Sequence, residues 1–207
     1  MHDTAYVSGS LFAQVYGKAG MSVLDVGGQD VNGTLRKPFE GLGMKYISLD
    51  IEAGKNVDVV MKPGEEFPFP DESFDLIVST SCFEHDPCFW MTFREICRVL
   101  KKGGYFYVNA PSNGPYHGWP GDNWRFYADA GQALVYWSGK KIDGKVYPVR
   151  LEETFFIDPC KDIWRDFVAI WKRVDEIDEI DENILCQIKD KIGPLEQSLS
   201  RIIQTSD

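Results

Sequence analysis

Val23-Leu24-Asp25-Val26-Gly27-Gly28-Gln29-Asp30-Val31-Asn32-Gly33 is the stretch that decides the fold. An apolar run from Met21 to Val26 stops at a glycine pair, the pattern of a buried strand delivered into a tight turn. Glycine there lets the backbone approach a ligand closely at the C-terminal edge of a parallel sheet. A dinucleotide site would space its glycines G-x-G-x-x-G, and a triphosphate site would add G-K-[ST]. The glycines here stand at 27, 28 and 33, and neither pattern is met. Asp25, just before the turn, suits a ligand with a cationic amino group better than a pyrophosphate.

Working outward, Tyr46–Asp50, Asn56–Val60, Phe74–Ser79 and Gly104–Ala110 read as four further strands. Phe89, Phe93, Ile96, Val99 and Leu100 recur at helical spacing, and Lys101-Lys102-Gly103-Gly104 closes that helix with cations and glycine. Val146–Arg150 and Glu153–Ile157 are expected to form an antiparallel pair at the sheet edge. Alternating strands and helices of this kind predict an α/β sheet covered on both faces. Asp50 ends the second strand, where a carboxylate can accept both hydroxyls of a ribose.

Three runs then fall in order: Phe67-Pro68-Phe69-Pro70-Asp71-Glu72-Ser73-Phe74-Asp75-Leu76-Ile77-Val78-Ser79, Phe83-Glu84-His85, and Arg94-Glu95-Ile96-Cys97-Arg98-Val99-Leu100-Lys101-Lys102-Gly103-Gly104. With the glycine turn before them, they resemble a class I S-adenosylmethionine-dependent methyltransferase of the large type-11 group, over roughly residues 20 to 112. The resemblance implies a Rossmann-like class I methyltransferase fold. Its sheet would be mostly parallel and seven-stranded, with an antiparallel edge, helices on both faces and C-terminal helices beyond. It also implies S-adenosyl-L-methionine as cofactor and S-adenosyl-L-homocysteine as product. Residues Asp30 to Arg36 resemble a bacterial and viral subset often found beside sugar-transfer genes.

By that resemblance Asp25, Gly27 and Gly28 would line the methionine end of the cofactor, with Asp30 and Asn32 in the same loop. Asp50 would hold the ribose, Ile51 would face the adenine, and Ser79 and Thr80 the sulfonium. Two departures stand out. Gln29 and Val31 replace later glycines of the usual loop, and Met61-Lys62 stands where many relatives carry an adenine-binding Asp.

Such a cofactor supplies the electrophile, so the protein must orient the acceptor and, for an oxygen of high pKa, remove a proton. His85, between Glu84 and Asp86, is the first candidate base, and His117 is its rival. A competing reading has Glu84-His85 capping the next helix and ordering the pocket. His117 belongs to an aromatic stretch after the fifth strand, where this fold's acceptor site usually lies. Tyr116, Trp119, Trp124, Phe126 and Tyr127 are there with Asp122 and Arg125 among them. Flat apolar faces beside hydrogen-bonding groups fit a sugar ring. Glu84, Asn113, Tyr116, Trp119, Asp122 and Arg125 are therefore the expected substrate-binding residues. Trp124 and Phe126 are expected to be structural, and an Asp122–Arg125 pair holding the loop is the plainer alternative.

The expected reaction is O-methylation of a sugar or glycan hydroxyl. A small non-sugar acceptor, methylated at O or N, stays open, as does a cofactor-binding docking module without catalysis. The 22 Lys and Arg against 32 Asp and Glu give a net charge of −10, which disfavours a broad nucleic-acid clamp. The five cysteines include no C-x-x-C pair, and Cys82, His85 and Cys88 lack a second ligand cluster, so no metal is expected. No apolar run is long enough to span a membrane and no secretory signal is visible, so a cytoplasmic location is expected.

Residues 1–160 are expected to be the methyltransferase domain. Residues 161–207 are expected to be an acidic helical appendage packed on it. From Asp158 onward there are 12 acidic and 7 basic side chains, half the net charge of the chain. Ile177, Ile180, Ile184, Ile188, Ile192, Leu195, Leu199 and Ile202 recur at amphipathic spacing, with a break expected at Gly193-Pro194. A homodimer through these helices is a further expectation.

Overall fold

Val23, Leu24, Leu76, Ile77 and Val78 are all fully buried, as neighbouring strands covered on both faces require. They belong to β1 (Ser22–Val26) and β4 (Phe74–Thr80), which pair in parallel at the centre of a seven-stranded sheet. The computed structural model describes residues 3–118, 120–158, 163–176 and 193–204. On one side of β1 lies β2 (Lys45–Asp50), then β3 (Val59–Val60), both parallel. On the other side of β4 comes β5 (Leu100–Pro111), also parallel. Beyond it β7 (Asp166–Arg173) pairs antiparallel with β5, and β6 (Val149–Ile157) pairs antiparallel with β7. The order is β3-β2-β1-β4-β5-β7-β6.

Alternation along the strands divides the core in two. Val23, Val78 and Tyr107 face α1 (Asp3–Tyr16), α2 (Arg36–Gly41) and α5 (Pro194–Gln204). Leu24, Ile77 and Phe106 face α3 (Phe89–Val99) and α4 (Asp129–Ser138). The expected mixed sheet with helices on both faces is therefore the observed one. The short sequence motifs have visible physical reasons. Arg98, nearly buried, donates to Glu95, Asp71 and the carbonyls of Phe67 and Phe69, tying α3 to the loop before β4. Gly103 takes φ +79°, and a Cβ on Gly104 would lie 2.6 Å from the Asp75 carbonyl.

Two expectations need correcting. Residues 149–157 form one strand with a bulge between Leu151 and Glu153, rather than two paired segments. Its partner is β7, so the sheet continues past residue 160, where the appendage was expected to begin. The reason is the run Phe167-Val168-Ala169-Ile170-Trp171, which is buried throughout and fits a strand wedged between two neighbours. The end of the chain is docked by an unexpected acid: the buried Glu153 on β6 accepts the Leu195 and Glu196 backbone N–H groups at 3.2 and 3.3 Å. A carboxylate at a helix N-terminus satisfies donors that the helix cannot. The helix starts at Pro194, where the break was expected, and Leu195 and Leu199 are buried against α1. Ile177, Ile180, Ile184, Ile188 and Ile192 lie outside the described residues.

Candidate functional site

The turn after β1 is held from below. Gly27, at φ +76°, and Gly28 both donate to the Leu49 carbonyl, at 2.9 and 3.3 Å. A Cβ on Gly28 would lie 2.2 Å from Ser48 Oγ and 2.6 Å from Asp25 Oδ2, so only glycine fits over that carboxylate. Asn56 donates to the Gly28 carbonyl at 2.7 Å and accepts from Arg36, which also pairs with Asp58. Arg36, Asn56 and Asp58 carry no motif; only the folding of β2 and β3 brings them under the turn.

Asp25 is 4% exposed, and burial pushes its carboxyl up to about 7, opposed by the hydrogen bond from the Tyr46 hydroxyl. Its Oδ1 is buried without a hydrogen-bond partner among the described residues. Asp50 accepts the N–H groups of Gln29 and Ile51 at 3.0 and 2.7 Å, which leaves lone pairs of its carboxylate for a further donor. Ile51 is exposed beside it. Asp30 is bound to Lys55 and accepts the Gly33 N–H, and the Lys55 hydrogen bond holds its carboxyl below the usual range. Asp30 thus closes the loop, and Asn32 sits exposed at its tip. Ser79 is buried with its hydroxyl on the Val26 carbonyl, and Thr80 is half-buried at the end of β4.

Beyond β4 the chain turns through Ser81 and Cys82. The Cys82 carbonyl accepts the N–H groups of His85 and Asp86 at 2.9 and 3.2 Å. This turn leans on the glycine turn, because a Cβ on Gly27 would lie 2.3 Å from Cys82 Sγ. The helix-capping alternative for Glu84-His85 is not what forms: the residue at the α3 N-terminus is Cys88, without a side-chain cap. His85 Nδ1 is bonded to the Gly121 carbonyl, an acceptor, so in the neutral ring Nε2 carries the lone pair. Glu84 Oε1 lies 3.7 Å from that Nε2. Glu84 is 1% exposed, its Oε2 has no partner among the described residues, and burial raises its carboxyl to about 8.

The loop after β5 brings the second histidine to the first. The His85 and His117 rings meet edge to face at 5.0 Å. Asp122 accepts the His117 N–H at 2.9 Å and forms a two-point pair with Arg125, at 2.5 and 2.7 Å. The Arg125 bonds pull its carboxyl well below the carboxylate range. The Asp122 side chain is 2% exposed, so it turns inward to hold the loop rather than outward to an acceptor. Asn113 likewise accepts the Arg165 N–H at 2.7 Å and anchors the loop to the approach to β7. Tyr116 is exposed, and Trp119 lies outside the described residues. Trp164, unmarked in the sequence, packs on His117 at 4.6 Å; only the β5–β7 pairing reveals it.

Beside this cluster, Phe89, Trp90, Trp124, Phe126, Tyr127 and Trp137 line a groove of about 430 Å³ between α3, α4 and the loop. Trp124 links groove and cluster: its N–H donates to the Glu84 carbonyl and its indole N–H to that of Asp86. Phe126 is buried, as expected of a structural residue.

Residues 24–108 match the family model described as a methyltransferase domain. An uncharacterized methyltransferase from Mycobacterium marinum is 31% identical over 115 residues, covering 49% of this chain and 44% of that protein. One from Mycobacterium sp. (strain KMS) is 34% identical over 94 residues, covering 41% and 36%. The chain spans less than half the length of these relatives. Among solved structures, Burkholderia thailandensis 1,6-didemethyltoxoflavin-N1-methyltransferase, with bound 1,6-didemethyltoxoflavin and S-adenosylhomocysteine, superposes with a TM-score of 0.64. It is 15% identical and covers 84% of this chain and 80% of that one. The [4+2]-cyclase SpnF superposes with a TM-score of 0.61 at 12% identity, covering 82% and 81%.

The fold is that of the class I S-adenosylmethionine-dependent methyltransferases. Residues 24–108 match a methyltransferase domain, whose implied cofactor is S-adenosylmethionine. The glycine turn fits that cofactor physically: Gly27 and Gly28 leave a bare backbone, and the buried Asp25 Oδ1 is an acceptor awaiting a donor. Among the described residues, no helix is long and apolar enough to cross a membrane.

Proposed function

We propose that this chain transfers a methyl group from S-adenosylmethionine to an acceptor hydroxyl, with His85 taking up the hydroxyl proton. One observation carries the reading: the turn bearing His85 is packed directly on the glycine turn, through Cys82 and Gly27. In this reading Gly27, Gly28 and Asp25 hold the methionine end, Asp50 the ribose and Ile51 the adenine, with Ser79 and Thr80 beneath the sulfonium. The cofactor supplies an electrophilic methyl group when bound. His85 presents a lone pair at Nε2, and the Glu84 carboxyl beside it, in its ionised form, stabilises the imidazolium that proton uptake creates. The aromatic faces of Trp124 and Tyr127, with the Arg125 guanidinium nearby, support a sugar or glycan acceptor whose C–H face packs on the rings.

A planar small metabolite is the second reading. Its support is the groove, where Arg125 is the one charged residue among ten lining side chains, a poor match for many hydroxyls. A neighbour with this fold is a 1,6-didemethyltoxoflavin-N1-methyltransferase. Mass spectrometry of glycan and heterocycle panels incubated with S-adenosylmethionine tests both. Methylated glycan, with kcat reduced by about a hundredfold in His85→Asn, is the expected result for a base-dependent hydroxyl acceptor. Methylated heterocycle with an unaltered His85→Asn rate would replace it with the second reading. Tight S-adenosylhomocysteine binding without turnover on any acceptor would favour a docking module instead.

A further inference from the structure

Glu84, His85 and His117 each offer a ligand atom within 4.8 Å of the other two, and the Trp164 ring packs on His117. Two histidines and one carboxylate with open coordination positions are a donor set for first-row divalent metals, zinc and iron(II) above all. Proximity alone would not make a site, but the way the groups are held goes further.

Glu84 is 1% exposed, and its Oε2 is buried without a partner among the described residues. An orphaned carboxylate oxygen in the interior is costly unless a cation or donor meets it. The His85 Nδ1 bond to Gly121 fixes the ring and leaves Nε2 on the Glu84 side. His117 Nδ1 lies 3.1 Å from Asp122 Oδ2, and Asp122 is itself clamped by Arg125. Metal-bound histidines are characteristically steadied in this way, by a carbonyl on one ring and a carboxylate on the other. The cysteines nearby do not compete. Cys88 is exposed, and the Cys82 side chain is packed against Gly27.

We infer that Glu84, His85 and His117 form a binding site for a divalent transition metal, with Asp122 as the outer carboxylate that orients His117. The inference concerns occupancy of the acceptor-free chain and competes with the methyl-transfer reading at His85. A cation here takes the His85 Nε2 lone pair, so metal binding and proton uptake by His85 exclude each other.

The test is titration of the full chain, stripped with chelator, with Zn2+ against a competing indicator. One equivalent is expected to bind. Glu84→Gln and His117→Ala should each weaken it by about a hundredfold or more, and Asp122→Asn by about tenfold to a hundredfold. Co2+ should give a visible absorption spectrum lacking a thiolate charge-transfer band. This second readout needs no variant to fold. No binding of either metal would overturn the inference, as would Zn2+ affinity unchanged in both ligand variants. A thiolate band abolished by Cys82→Ser or Cys88→Ser would also overturn it. None of these readouts depends on turnover, so inactivity on every acceptor leaves the site to be judged on binding alone.

Discussion

Gly27 and Cys82 are in contact without room for a methyl group: a Cβ on residue 27 would lie 2.3 Å from Sγ and 2.6 Å from the Cys82 Cβ. The glycine turn and the turn that carries His85 are thus one packed unit. Gly27 also holds φ +76°, where side chains are strained. Gly27→Ala should cost about 1–3 kcal/mol of stability and weaken S-adenosylhomocysteine binding at least tenfold. Pairing it with Cys82→Gly should recover part of both losses, because the clash goes while the strain stays. Strictly additive losses in calorimetry and thermal melts would show that the contact carries no coupling.

Asp25 makes the cofactor-free protein sensitive to pH. Its carboxyl is raised from 3.8 to about 7 by burial, so between those values the folded chain keeps a proton that the unfolded chain has lost. Stability contributed by that proton is full below about pH 4, falls as pH rises through neutrality, and levels off above. Asp25→Asn, which needs no proton, should therefore melt a few degrees above the wild type at about pH 8, with the gap closing towards about pH 4. The same variant should bind S-adenosylhomocysteine more weakly. Melting curves that shift in parallel at every pH would contradict the assignment.

What the sequence shows and what it hides divide along physical lines. Strands β1, β2, β4 and β5 are legible because apolar runs ending in Gly, Asp or Ser report their own burial. The glycine turn and His85 are legible for the same local reason. β7 is not: its five apolar residues precede an isoleucine repeat of helical spacing, and only pairing with β5 and β6 settles their conformation. Trp164, Asn56 and Arg36 serve the site through contacts with residues distant in sequence, and a single chain records no such pairing. Asp122 was visible as a loop carboxylate, but its inward direction depends on Arg125 and on the fold of the loop.

Leu195 tests how firmly the end of the chain belongs to the domain. It is fully buried against α1, and its N–H is bound by Glu153. Leu195→Ala should cost about 2–5 kcal/mol, the range for a buried leucine that leaves a cavity. Chemical denaturation should show one cooperative transition moved to lower midpoint. A midpoint within error of the wild type would mean that α5 is an attachment with no share in the core.

Arg125 separates loop architecture from cofactor binding. Its guanidinium bonds Asp122 at two points and donates to the Pro115 and Trp124 carbonyls, so it ties both ends of the loop after β5 to one inward carboxylate. Lysine keeps the charge but not the planar fork, and can satisfy only part of that set. Arg125→Lys should therefore loosen the loop that brings His117 to His85, while the glycine turn on the far side of Cys82 is untouched. The expected outcome is S-adenosylhomocysteine affinity within about twofold of the wild type, with stability lower by about 1–2 kcal/mol. With an acceptor in hand, KM for that acceptor should rise while KM for the cofactor holds. A parallel loss in both would place Arg125 in the support of the whole pocket, and the separation of the two half-sites at Cys82 would have to be abandoned.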